Sequence, residues 1–72
     1  MSEKNLQAIY DECESASMKF PKFNSYHEGY AVIKEELDEL WDEIKGEEDP
    51  ERLRAEAIQV GAMALRFLDN LT

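Results

Sequence analysis

Glu36 and Glu39 stand three residues apart in the stretch YAVIKEELDELWDEIK (30–45), and Glu56 and Gln59 repeat that interval in the segment that follows. Residues three apart on a helix share a face, one turn from each other, so each pair aims two oxygen donors at one point. Two such pairs meeting across antiparallel helices would supply several hard oxygen ligands, a donor set suited to Mg²⁺ or Mn²⁺. Carboxylates that border a core repel one another and lose hydration, so they need protons, cationic partners or a metal. A divalent cation is the simplest way to hold them together. The plainer alternative is a solvated acidic surface. It suits Asp38 and Asp42, on the far side of the helix, better than Glu36, Glu39 and Glu56, which flank an apolar stripe.

Other site chemistries lack their residues. A di-iron bundle wants a Glu-x-x-His on each of two helices, and His27 is the only histidine. Zinc would want more Cys and His, and the acidic run 38–43 has neither the glycine nor the alternating oxygens of a calcium loop. No glycine-rich phosphate cradle and no nucleophile–base pair is evident.

Three helices must position these side chains. The first is expected over about 2–18, with Ser2 as N-cap, Leu6, Ile9, Cys13 and Ala16 on one face, and Pro21 as the stop. The second is expected over about 25–45. Ser25 and Glu28 form a capping box, and Gly46 suits the left-handed position after a helix. Its apolar stripe runs through 26, 30, 33, 37, 40 and 44, with Glu36, Glu39 and Glu43 directly beside it. The third is expected over about 50–70, with Asp49 as N-cap and Pro50 at the first helical position. Leu53, Ala57, Val60, Ala64, Phe67 and Leu71 form its core stripe, but Ile58, Gly61, Ala62 and Leu65 make the opposite face apolar as well. That second face reads as a subunit interface, because two other helices in one chain are expected to cover only one side.

At 72 residues the chain is one domain, 1–72, with a core too small to be very stable alone. The net charge of −9 disfavours binding to polymeric nucleic acid, whose affinity comes largely from Lys and Arg on phosphates. A 43% hydrophobic content argues for a folded chain rather than an acidic disordered tail. No apolar run is long enough to span a membrane, and MSEKNLQAIYDE lacks the basic-then-apolar pattern of a signal peptide. The single Cys13 fits a reducing compartment and continues an apolar face. A cytoplasmic location is expected.

Taken together, these residues resemble the all-α nucleoside triphosphate pyrophosphohydrolases, the MazG-like superfamily, and in particular its small phage- or mobile-element-type members. Their motif is Glu-Glu-x-x-Glu, a spacer, then Glu-x-x-Asp. Glu35-Glu36-Leu37-Asp38-Glu39 matches the first half, and Glu56 opens the second after sixteen intervening residues. Gln59 replaces the final aspartate, a neutral and weaker ligand. The resemblance implies an antiparallel helical bundle built by a homodimer or homotetramer. It also implies hydrolysis of a nucleoside triphosphate to the monophosphate and pyrophosphate that depends on Mg²⁺, with Mn²⁺ as the alternative cation. Glu36, Glu39, Glu56 and Gln59 would hold the metal, and Glu35 would orient or deprotonate the attacking water. Lys19, Lys22, Arg52 and Arg54 are the basic residues nearest the relevant helix ends, where phosphate would lie. Phe20, Phe23 and Tyr26 would form a base-stacking wall, and His27 is a further substrate contact. The alternative is a MazG-like dimerisation or adaptor protein that keeps the acidic residues without the chemistry, and Gln59 is the residue that favours it.

Overall fold

The computed structural model describes residues 2–46 and 49–72, which form three helices and no strand: α1 (Glu3–Lys19), α2 (Tyr26–Lys45) and α3 (Pro50–Leu71). Each begins at the expected cap. Ser2 Oγ accepts from Asn5 N–H, Ser25 Oγ from Glu28 N–H, and Asp49 Oδ1 from Glu51 N–H. Glu28 completes its capping box one residue early, accepting from Asn24 N–H at 2.8 Å. Phe20 is extended, as a residue before proline tends to be, and ends α1. Gly46 ends α2 with φ −85° and ψ −153°, not in the left-handed conformation expected for it. Among the described residues, no helix is long and apolar enough to cross a membrane.

α3 is the centre of the fold. It packs against both other helices, whereas α1 and α2 do not pack against each other. Along the α2–α3 seam residue numbers run in opposite senses. Gly29 lies against Phe67 and Leu71 at one end, and Arg52 meets Glu43 at 3.6 Å towards the other. Along α1 they run together, from Arg54 on Asn5 through Gly61 under Ile9 to Arg66 under Pro21. The expected antiparallel arrangement thus holds for α2 and α3, and α1 runs parallel to α3. The 20–25 segment makes this possible by crossing the C-terminal part of α3, where Phe23 N–H donates to Asn70 Oδ1 at 3.0 Å.

Two expectations about faces are corrected by this layout. The Ile58, Gly61, Ala62, Leu65 side of α3 is not left over for another subunit. α1 covers it, with Cys13 and Ala16 buried against Ala62 and with Ile9 close enough that a Cβ on Gly61 would lie 3.1 Å from its Cδ1. The small residues let the two backbones approach, so they serve a contact within the chain. Nor do the apolar stripes close over a core. Ile33, Leu40, Leu53, Val60 and Phe67 are half-buried, but Leu37, Ile44, Ala57 and Ala64 are exposed. α2 is rotated so that Gly29, Val32, Glu36 and Glu43 line the seam with α3, and the stripe intended for the core stands open at its side.

Candidate metal centre and adjoining groove

That rotation turns the second stripe of α2, the acidic one, towards α3. Glu36 and Glu39 are one turn apart on α2, and Glu56 comes from the first turns of α3. One carboxylate oxygen from each lies within 4.8 Å of the others. Oxygens on an octahedral Mg²⁺ are about 3–4 Å apart, so small side-chain rotations bring this trio to ligating geometry. Burial, and after it the charge and hydrogen bond of neighbouring Glu39, raise the Glu36 carboxyl to about 7. Burial and Glu39 raise Glu56 in the same way, with Glu43 adding to them. Glu56 Oε2 is buried with no hydrogen-bond partner among the described residues. An orphaned, shielded carboxylate oxygen beside two further carboxylates is the donor set that a hard divalent cation satisfies.

The trio borders a groove. α3 is its floor, α1 and α2 are its walls, and Phe20, Pro21 and Phe23 close one end. The groove has a volume of about 520 Å³, within the usual range for small-molecule sites. Glu35 and Glu36 enter it from α2, Gln59, Met63 and Arg66 from α3, and Ala16 and Lys19 from α1.

The structure therefore brings together Lys19, Phe20, Phe23, Glu35, Glu36 and Gln59, with Glu39 and Glu56 at the edge. It separates the remaining expected contacts from them. Arg54 turns to α1, its Nη2 3.0 Å from Asn5 Oδ1. Arg52 sits on Glu43, at the far end of the acidic stripe. Tyr26 stacks on Phe67, with ring centroids 6.0 Å apart, and lines a different depression shared with His27. Lys22 is exposed and does not line the groove. Phe23 is buried with the Arg66 guanidinium on its ring, so packing occupies the face meant for a base. Gln59 lines the groove together with Glu35 and Glu36.

Sequence reasoning missed Arg66. The signal was there: 59, 63 and 66 step by 4 and 3 along one helical face, so Arg66 shares a face with Gln59 two turns away. Comparison of the chain with protein-family models, with curated proteins and with solved structures finds no match.

Proposed function

We propose that this chain is a Mg²⁺-dependent nucleoside triphosphate pyrophosphohydrolase, cleaving between the α and β phosphates to give the monophosphate and pyrophosphate. The observation that carries the reading is the convergence of Glu36, Glu39 and Glu56, with its orphaned oxygen, at the mouth of a mostly apolar groove. The MazG-like pattern of the sequence supplies the reaction. Glu36, Glu39 and Glu56 hold the metal, and Gln59 contributes a neutral carbonyl beside them. Mg²⁺, or Mn²⁺ in its place, supplies charge that offsets both the carboxylates and the incoming phosphates. Glu35, one residue from a ligand and open to the groove, accepts a proton from water as that water attacks the α phosphorus. Lys19 faces the same groove from the last turn of α1, at the end nearer Arg66, and is a substrate contact there. A screen for pyrophosphate release over standard, oxidised and methylated triphosphates with Mg²⁺ tests this. Release that is lost in Glu35→Gln supports the reading, and no release from any triphosphate contradicts it.

The same reading includes a homodimer or homotetramer in the cytoplasm. Its support is the open apolar strip of α2 and α3, where Tyr30 is 63%, Trp41 54% and Leu68 57% exposed. The chain exposes 5404 Å². Surface–mass scaling gives about 4600 Å² for a compact monomer of 8.4 kDa. The excess of about 800 Å² equals one partner's share of a standard interface. A second reading, an adaptor without chemistry, is favoured by Gln59 alone, where the catalytic pattern has aspartate.

A further inference from the structure

Arg66 is the only charged side chain buried in the core among the described residues, at 3% exposure. Its guanidinium lies over the Phe23 ring at 4.5 Å. Nη2 donates to the Pro21 carbonyl at 3.0 Å, and Nη1 reaches the Met63 sulfur at 3.7 Å. All three partners are neutral. No described carboxylate stands within ion-pairing distance, and the Nε–H has no acceptor. A buried cation with neither counter-charge nor a full set of acceptors is costly. Anchoring the 20–25 segment accounts for the Nη2 bond and the stacking. It does not account for a shielded Nε–H left unpaired in a residue that lines the groove.

Resting on the function proposed above, we infer that Arg66 is the specificity-determining residue of the groove and donates hydrogen bonds to a carbonyl oxygen on the nucleobase. Position along α3 separates this role from phosphate binding. Arg66 lies about 10 Å from Gln59 and about 15 Å from Glu56 along the helix axis, at 1.5 Å per residue. With the phosphates held at the carboxylate trio, the base is the part of the same nucleotide that extends along the groove towards Arg66. Between the two ends the groove is walled by Ala16, Val32 and Met63, an apolar surface against which a heteroaromatic ring can pack. Met63, long and unbranched, is the adaptable wall next to the guanidinium. Glu12 and Glu28 also face the groove and offset the charges of Lys19 and Arg66, which favours a neutral acceptor as the partner. Guanine, uracil and cytosine offer such a carbonyl, and adenine does not. Guanine O6 and N7 match one edge of a guanidinium best.

Titration calorimetry on the full chain with saturating Mg²⁺ tests the inference. The probes are the monophosphates of guanosine, uridine, cytidine and adenosine, and tripolyphosphate. Wild type is expected to favour a carbonyl-bearing base over adenine by about five- to hundredfold. In Arg66→Met that preference collapses towards unity while tripolyphosphate affinity is unchanged. An unchanged base ranking in the variant overturns the inference, as does equal weakening of tripolyphosphate and every monophosphate. Wild type that binds tripolyphosphate but ranks all bases alike also overturns it and leaves the pyrophosphohydrolase reading standing. Wild type that binds no probe removes both. Should Arg66→Met fail to fold, the Arg66 Nε–H resonance of the wild type gives the answer. The preferred monophosphate should shift it and tripolyphosphate should not, and an unmoved resonance contradicts the assignment.

Discussion

The two ends of the α2–α3 seam are built from opposite materials. At one end Gly29 meets Phe67 and Leu71, and the rings of Tyr26 and Phe67 stack beside them. At the other, Glu36, Glu39 and Glu56 converge, burial and the nearby Glu39 charge raise the Glu36 and Glu56 carboxyls, and one Glu56 oxygen is unpartnered. The dry end is held by close packing of apolar atoms. The acidic end works against the same contact until a proton or a cation arrives. Packing therefore stabilises one end, and unpaired like charge opposes the contact at the other.

Each end can be broken separately. The largest effect is expected where the dry end meets the open strip. Leu68→Glu places a charge among Tyr26, Tyr30, Ile33 and Phe67, and should weaken the proposed dimer by roughly 2–4 kcal/mol of association free energy. Light scattering should then show the mass of a single chain, and an unchanged mass would remove this strip from the interface. Next comes Gly29→Val. A Cβ at that position would lie 2.5 Å from Phe67 Cδ2, so the ring must move, at a cost of about 1–3 kcal/mol in urea unfolding. A neutral result would mean the dry end is loose.

At the acidic end the sign is reversed. The folded state raises the Glu36 carboxyl from 4.5 to about 7, so the folded chain binds its proton more tightly than the unfolded chain does. The stability linked to that proton is present below about pH 4.5 and is lost as pH rises through 7. With chelator present, thermal melts at pH 8 should therefore gain on the order of 1 kcal/mol in Glu36→Gln relative to wild type, after allowance for solvent screening. The two should converge near pH 4, and a variant less stable at pH 8 would contradict the strain assigned to this end. The smallest effect is expected away from the seam. Asp38→Asn removes the exposed Lys34–Asp38 pair, 2.6 Å apart, and should cost no more than about 0.5 kcal/mol.

The caps and the Glu36–Glu39 pair were legible in the sequence because both depend on local spacing. Ser2, Ser25 and Asp49-Pro50 start the helices where their side chains can satisfy free N–H groups. Glu36 and Glu39 share a face because helical geometry fixes i and i+3, whereas Glu56 joins them only through the packing of α3 on α2. The rotation of α2 was not legible. Two adjacent stripes, 26-30-33-37-40-44 and 29-32-36-39-43, fit the helical repeat equally well, and apolarity favours the first. The choice is made by α3, which must also accommodate α1. Gly61 and Ala62 admit α1 closely and so consume the face that sequence assigned to another subunit. Arg66 stayed hidden for a related reason. A lone arginine in an apolar helix reads as solvent-facing until the 20–25 segment is seen crossing above it.

The central claim is that Glu36, Glu39 and Glu56 act as one cation site while Asp38 and Asp42, interleaved on the same helix, do not. Titration calorimetry with Mg²⁺ and Mn²⁺ on the wild type and on Glu36→Gln, Glu39→Gln, Glu56→Gln, Asp38→Asn and Asp42→Asn tests it most directly. The account predicts a stoichiometric site that each of the first three variants weakens at least about tenfold, since each removes a charged ligand. The last two should leave it within about twofold of wild type, as expected for exposed charges screened by salt. Equal weakening by all five would mean a diffuse counterion cloud around an acidic chain, and would contradict the account.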